Sequence, residues 1–231
     1  MVKGIITDIE GTTSSLSYVK EVMFPYSKRR LRDFLKSNWE KPEVKSIIER
    51  LSRRLGKEVD VELAVKTFEE WIEKDLKDGL LKELQGHIWE EGFSKGELKG
   101  HVYPDAYEKL RELKERGYRL FVYSSGSVKA QKLFFGNTDY GDITGLFDGF
   151  FDTGVGQKKE RESYINISKA VGLKPEELVF ISDVEEELDA AKSAGLNTVL
   201  IVREGEGKSS KHRTIRSFYE LRVFKNSQSL I

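Results

Sequence analysis

The feature that most constrains this chain is a regular alternation of short apolar runs with amphipathic helical patterns after residue 100. The runs at 120–122, 179–181 and 199–202 are apolar throughout, as in strands that are buried on both faces. Longer helical patterns separate them, for example at 103–116. Strands that are separated by helices of this length pair in parallel. The sequence therefore predicts an α/β fold with a parallel sheet.

The segment 16–100 has a different pattern. Helical periodicities occur at 22–35, 44–55 and 61–76, and no run between them is typical of a strand. We therefore expect an all-helical insert at 16–100 and an α/β core formed by 1–15 and 101–231. The tail that follows Arg203 has only one weak helical pattern, at about 213–220.

Composition excludes several classes of function. Lys plus Arg and Asp plus Glu both number 39, so no net charge favours nucleic acid or a membrane surface. Because the chain has no cysteine, disulfides, thiolate catalysis and zinc–thiolate sites are excluded. No apolar stretch approaches the ~18 residues of a membrane span, and we find no secretory signal. We expect a cytoplasmic monomer that binds neither nucleic acid nor membranes.

Polar residues with complementary chemistry follow the predicted strands. In chain order they are Asp8 and Glu10, Ser124 and Ser125, Lys158 and Lys159 in a loop, and Asp183. Ligands of open parallel sheets bind at the carboxyl ends of the strands. We therefore expect these side chains to form one site.

The residue types at these strand ends suit the hydrolysis of a phosphate ester. Mg²⁺ usually binds one or two carboxylates together with phosphate and water, and Asp8 with Asp183 is the natural pair. A carboxylate can also attack phosphorus and form an aspartyl-phosphate. The Ser124 hydroxyl and N–H groups at a helix start can bind phosphate oxygens, and a lysine supplies a compact positive charge.

The order of the motifs resembles a known family. D-x-E-G-T-T stands at 8–13, S-S-G-S at 124–127, a lysine at 158 and S-D-V at 182–184. Further similar motifs are F-P-Y at 24–26, L-Q-G-H-I-W at 84–89, F-D-T at 151–153 and E-S-Y at 162–164. Together they resemble the haloacid dehalogenase superfamily of Mg²⁺-dependent phosphatases and, within it, the enolase-phosphatases of methionine salvage. The D-x-E pattern is the most discriminating, because most phosphatases of the superfamily have D-x-D.

This resemblance implies a Rossmann-like haloacid dehalogenase core with an inserted helical cap and one Mg²⁺ per chain. It also implies a small-molecule phosphate-ester substrate, 2,3-diketo-5-methylthiopentyl-1-phosphate. The enzyme would enolise this substrate and then dephosphorylate it through an aspartyl-phosphate. The products would be phosphate and the acireductone 1,2-dihydroxy-3-keto-5-methylthiopentene.

The resemblance also implies roles for individual residues. Asp8 would be the nucleophile and a metal ligand. Glu10 would ligate the metal through its backbone carbonyl and act as a general acid/base. The remaining residues would be Ser124 and Ser125 for the phosphate, Lys158 for catalysis and phosphate binding, and Asp183 for the metal. The family's spacing to Glu160, Ser163 and Tyr164 favours Lys158 over Lys159. The enolisation base is left open between Glu10, His87 and Lys158.

Two other interpretations are retained. The first is a phosphatase of the same fold that acts on a different small phosphate ester. Such phosphatases usually carry an aspartate at the position of Glu10, which argues against this interpretation. The second is a regulatory module of the response-regulator receiver type, with a phosphorylatable Asp8. The helical insert and the serines after the second strand argue against it.

Overall fold

The computed structural model describes residues 1–74, 76, 78–205, 207 and 209–222. The chain divides into two compact units. One, called here the α/β unit, contains Met1–Leu16 and the described residues from Lys99 onward, and the other, the helical unit, contains Ser17–Leu98. Asp75, in the helix predicted at 61–76, lies outside the described residues, as does 223–231, the end of the predicted core segment.

The centre of the α/β unit is a parallel sheet, which in the described residues has six strands in the order β3-β2-β1-β4-β5-β6. The strands are β1 (Gly4–Thr7), β2 (Arg119–Tyr123), β3 (Gly149–Phe151), β4 (Leu178–Ser182), β5 (Asn197–Ile201) and β6 (Arg213–Ile215). All residues of β1 and β4 are buried, as expected for central strands that are covered on both faces. The predicted parallel α/β fold is confirmed.

The helices account for the remaining regular structure. In chain order they are α1 (Leu16–Tyr18), α2 (Phe24–Asn38), α3 (Pro42–Leu55), α4 (Val61–Glu73), α5 (Gly79–Ser94), α6 (Pro104–Glu115), α7 (Val128–Gly136), α8 (Arg161–Val171) and α9 (Glu185–Ser193). A π-helical segment, Val19–Met23, precedes α2. The described residues of the helical unit include no strand. None of the described helices is long and apolar enough to cross a membrane.

Helix α5 was not among the helical periodicities found in the sequence. Its glycines weaken the pattern, because glycine is a poor helix former. Gly92 has a packing role, since a Cβ there would lie 2.7 Å from the ring of Tyr26. Glycine at position 92 therefore allows α2 and α5 to approach closely within the helical unit, although it lowers the local helix propensity.

The prediction for the tail was wrong. Instead of a helix at about 213–220, the chain forms β6 and a short 3₁₀ turn at Phe218–Glu220. β6 pairs in parallel with β5, and Ile215 lies buried opposite Ile201. Burial of this β-branched side chain against the sheet outweighs a weak helical periodicity.

Candidate active site

The register of the sheet brings the predicted residues to one edge. Thr7, the last residue of β1, pairs with Val122 of β2 and Ile181 of β4. Because the three strands are parallel neighbours, the residues that follow them lie side by side. Asp8 is the next residue after β1, and Ser124 and Asp183 directly follow β2 and β4. This is the edge at which parallel sheets bind ligands.

A buried lysine connects two of the carboxylates at this edge. Lys158 Nζ lies 2.7 Å from Asp8 Oδ2 and 2.7 Å from Glu187 Oε2. Ser182 Oγ donates a hydrogen bond to Glu187 Oε2 at 3.0 Å. The side chain of Lys158 is 10% exposed, whereas Lys159 is exposed. The structure therefore places Lys158, and not its neighbour, against Asp8.

The charges in this cluster depend on one another. Burial disfavours the charged form of Lys158, but the carboxylates of Asp8 and Glu187 outweigh burial and raise its pKa. Burial and the negative charge of Asp8 raise the pKa of Glu187. Lys158 therefore stays protonated and neutralises part of the negative charge around Asp8.

Glu187 is a site residue that the sequence reasoning missed. It is one of three glutamates in the first turn of α9, a place where acidic residues are favourable on any helix. Only Glu187 of the three is buried. The acidic turn was visible in the sequence, but which glutamate faces the interior depends on how α9 packs.

The positive charge around Asp183 does not balance the negative charge of the nearby carboxylates. Its Oδ1 is buried and has no hydrogen-bond partner among the described residues. Burial and then the charge of Asp8 raise the pKa of Asp183 to about 6. An unsatisfied buried carboxylate beside a second carboxylate is the environment that a bound cation would stabilise.

The donor set fits Mg²⁺ better than a transition metal. Among the described residues, no group of three or more His, Cys, Asp or Glu side chains could hold a metal ion. A site with two carboxylates, Asp8 and Asp183, has few protein ligands and only oxygen donors. Mg²⁺ accepts such a site, because it keeps several waters and binds substrate phosphate.

The turn after Asp8 packs tightly around both carboxylates. Ile9 N–H donates to Asp8 Oδ1 at 2.8 Å, and Thr13 Oγ1 donates to the Asp8 carbonyl at 3.1 Å. Gly11 has a φ of +72°, and a Cβ there would lie within 3.0 Å of all three atoms of the Asp183 carboxylate. Only glycine suits this position, both for its backbone and for the space beside Asp183.

The other predicted site residues differ in their burial and in their hydrogen bonds. Glu10 lies in the turn with an exposed side chain, so it is not buried with Asp8. Ser124 is buried and its Oγ accepts from Gly126 N–H at 3.3 Å, while Ser125 is exposed. Ser127 caps α7 by accepting from Ala130 N–H.

A cavity of about 430 Å³ adjoins the Asp183 side of the turn. Its lining includes Gly11, Tyr103, Asp183, Val202 and Arg203. This volume lies within the range of small-molecule sites. A small phosphate ester can therefore be accommodated beside Asp183.

Comparison with known proteins identifies the family. The sequence pattern of the haloacid dehalogenase-like hydrolases matches residues 2–195. Enolase-phosphatase E1 of Aquifex aeolicus is 57% identical over 223 residues, which cover 96% of this chain and 100% of that protein. The chain belongs to the enolase-phosphatase E1 family. Enolase-phosphatase E1 of Pseudomonas fluorescens is 49% identical, over 94% of this chain and 96% of that protein.

Solved structures share the fold of this chain. The UTR4 protein of Saccharomyces cerevisiae has a TM-score of 0.81 and 35% identity, covering 96% of this chain and 100% of that one. A haloacid dehalogenase phosphatase of Thermococcus onnurineus, at 23% identity and a TM-score of 0.59, shares the fold and covers 95% of both chains. As a member of the enolase-phosphatase E1 family, this chain is a hydrolase of methionine salvage. The receiver interpretation is therefore wrong.

Proposed function

We propose that this enzyme enolises 2,3-diketo-5-methylthiopentyl-1-phosphate and then removes its phosphate to give the acireductone. The observation that carries the proposal is the Asp8 carboxylate, held 2.7 Å from the buried Lys158 ammonium at the carboxyl end of β1. Membership of the enolase-phosphatase E1 family supports the substrate, and the 430 Å³ cavity suits its size.

Asp8 is the proposed nucleophile for dephosphorylation. One carboxylate oxygen forms a bond to phosphorus while the bond from phosphorus to the substrate oxygen breaks, and Glu10, as the general acid, donates a proton to that oxygen. Water then hydrolyses the aspartyl-phosphate and regenerates the carboxylate. Lys158 keeps the buried carboxylate charged and, with Ser124 and Ser125, binds the phosphoryl oxygens.

The proposed Mg²⁺ ligands are the Asp8 and Asp183 carboxylates and the backbone carbonyl of Glu10. When bound, Mg²⁺ neutralises negative charge on the phosphoryl group. Asp183 supports this assignment, because its buried oxygen has no partner within the described residues.

For the enolisation base we propose the Glu10 carboxylate. Of the three candidates, Lys158 is the least suitable, because its raised pKa means that it holds its proton. His87 belongs to the helical unit, where its Nδ1 lies 3.9 Å from Glu90. Glu10 follows Asp8 by two residues and its side chain is exposed, so a substrate at the carboxyl end of β1 can reach it.

The test is Asp8→Asn, assayed with the diketo phosphate while enol absorbance and phosphate release are followed together. Asparagine keeps the shape of the side chain but cannot form the aspartyl-phosphate intermediate. We expect enol to accumulate and phosphate release to fall by at least ~10³-fold. Exposed Asp139→Asn is the control, and wild-type phosphate release by Asp8→Asn would disprove the nucleophile assignment.

The competing substrate assignment has its own test. A panel of sugar, nucleotide and other small phosphate esters should be hydrolysed at least ~10²-fold less efficiently, in kcat/KM, than the diketo phosphate. A better substrate in the panel, without enol formation from the diketo phosphate, would favour an ordinary phosphatase. A cytoplasmic monomer remains our prediction for the protein as a whole.

A further inference from the structure

Arg203 contacts the turn that carries the site carboxylates. Its Nε and Nη2 donate to the Thr12 carbonyl at 2.9 and 2.7 Å. Thr12 is the residue between Gly11, which packs on Asp183, and Thr13, whose hydroxyl donates to the Asp8 carbonyl. The guanidinium is therefore attached at the centre of the turn.

Arg203 is itself fixed from the opposite side. Its Nη1 donates to Asp105 Oδ2 at 2.7 Å, and the guanidinium lies 4.1 Å from the centre of the Tyr103 ring. The side chains of Arg203 and Asp105 are 11% and 10% exposed. Burial strengthens these charge-assisted hydrogen bonds, and the planar guanidinium can hold both partners at once.

Tyr103, the residue that precedes α6, adds a second attachment to the same turn. Tyr103 N–H donates to the Thr13 carbonyl at 2.9 Å. Two consecutive carbonyls of the turn therefore accept hydrogen bonds. The Thr12 carbonyl accepts from Arg203, which Asp105 holds in place, and the Thr13 carbonyl accepts from the Tyr103 N–H. The positions of Asp8 and Asp183 relative to each other depend on this turn.

We propose that Arg203 is a positioning residue for the metal site: it links the Thr12 carbonyl to Asp105 and so holds the turn that sets the spacing of Asp8 and Asp183. This role rests on the proposed function of those two carboxylates. In this role Arg203 acts on the metal site through the turn that carries its ligands. Loss of its two-sided contact loosens the turn and weakens the binding of Mg²⁺ and of phosphate analogues.

A purely structural role would have different consequences. Asp105 Oδ2 also accepts from Ser217 Oγ and Phe218 N–H, each at 2.7 Å, so the Arg203–Asp105 pair helps to attach the tail. If this attachment were its whole role, changes to the pair would lower stability and leave metal affinity unaltered. Ser217→Ala is the matched control, because Ser217 contacts Asp105 but not the turn.

The experiment compares Arg203→Lys, Asp105→Asn and Ser217→Ala with the wild type. Mg²⁺ affinity is measured by calorimetry, beryllium trifluoride binding by ¹⁹F NMR as a phosphoryl analogue on Asp8, and Tm by circular dichroism. Lysine keeps the charge but cannot bind both partners as a fork. We expect Arg203→Lys and Asp105→Asn to weaken both ligands by about 10- to 100-fold, the range for residues that orient metal ligands. Ser217→Ala should lower Tm alone.

The outcomes separate this role from the proposed function. Wild-type affinities in Arg203→Lys and Asp105→Asn, with a lower Tm, would overturn the positioning role only. A wild-type protein that binds neither Mg²⁺ nor beryllium trifluoride would overturn the proposed function and this role with it. If Arg203→Lys does not fold, the isosteric Asp105→Asn decides, since it frees Arg203 without removing it.

Discussion

Lys158 is the residue on which the charge balance of the site depends most strongly. It is buried between Asp8 and Glu187, and no other described residue forms an ion pair with either of these carboxylates. Removing one partner of a buried ion pair is much more costly than removing a surface charge, because the remaining charges stay buried without compensation.

We therefore expect Lys158→Met to lower the free energy of unfolding of the metal-free protein by about 3–5 kcal/mol at pH 8. Without the ammonium, the two buried carboxylates repel each other, so protonation at lower pH relieves the repulsion and the deficit shrinks towards pH 5. Phosphatase activity should be lost. Urea unfolding at both pH values, with a chelator present, measures the deficit.

Exposed Lys159 provides the control for this prediction. Lys159→Met should change the free energy of unfolding by no more than about 0.5 kcal/mol and leave activity intact. Equal losses in the two variants, or a deficit that does not change with pH, would show that Lys158 is not the counter-charge of a buried carboxylate pair.

At the scale of elements, the turn after β1 requires a glycine at position 11 for two reasons, its left-handed backbone and the close approach of Asp183. Gly11 and Gly141 have similar left-handed backbones, with φ of +72° and +80°. A Cβ at Gly141 would meet no atom within 4 Å, whereas at Gly11 it would collide with Asp183. The two glycines therefore separate the backbone cost of a substitution from the cost of the collision.

Gly141→Ala should cost only the backbone term, about 1–2 kcal/mol in the free energy of unfolding. Gly11→Ala should cost more and, because Asp183 must move, should also weaken Mg²⁺ binding by at least ~10-fold. Urea unfolding and calorimetric titration with Mg²⁺ measure the two effects. Identical behaviour of the two variants would mean that the turn does not constrain Asp183.

The same scale shows what the sequence could and could not predict. The central strands and α6–α9 were predictable, because apolar runs and helix ends follow from local patterns. β6 was not, since its own local pattern is weak and it forms a strand only by pairing with β5. Asp8 and Asp183 could be predicted as a pair because parallel strands bring their carboxyl ends together. Glu187 could not, because its contact with Lys158 depends on the rotation of α9 against the sheet.

At the scale of the whole molecule, the overall charge is balanced, but the candidate active site has an excess of negative charge. The chain carries 39 basic and 39 acidic residues. In the described part of the site, however, Lys158 faces the carboxylates of Asp8, Asp183 and Glu187. Because of this local excess of negative charge, we expect the stability of the protein to depend on pH and on the proposed Mg²⁺.

Asp183 determines the direction of this dependence. Its pKa is about 6 in the folded protein against an ordinary value of 3.8, so the folded state binds more protons between these values. The stability of the metal-free protein should therefore fall as pH rises from about 4 to about 6. If Asp183 is a metal ligand as proposed, a proton no longer competes with Mg²⁺ above pH 6, and the stabilising effect of Mg²⁺ should be larger at pH 8 than at pH 5.

The Asp183→Asn variant tests this linkage between protons, metal and folding. In the wild type at pH 8, Mg²⁺ at 100 times its Kd should add about 2.7 kcal/mol to the free energy of unfolding. Asp183→Asn has no charge to desolvate, so it should exceed the wild type in stability when a chelator is present, and it should gain little from Mg²⁺. Exposed Asp139→Asn should respond to Mg²⁺ as the wild type does. If Mg²⁺ raised the free energy of unfolding of Asp183→Asn as much as that of the wild type, Asp183 would be excluded as a metal ligand. The loss of a ligand weakens Mg²⁺ binding, and a more weakly bound ion stabilises the folded state less.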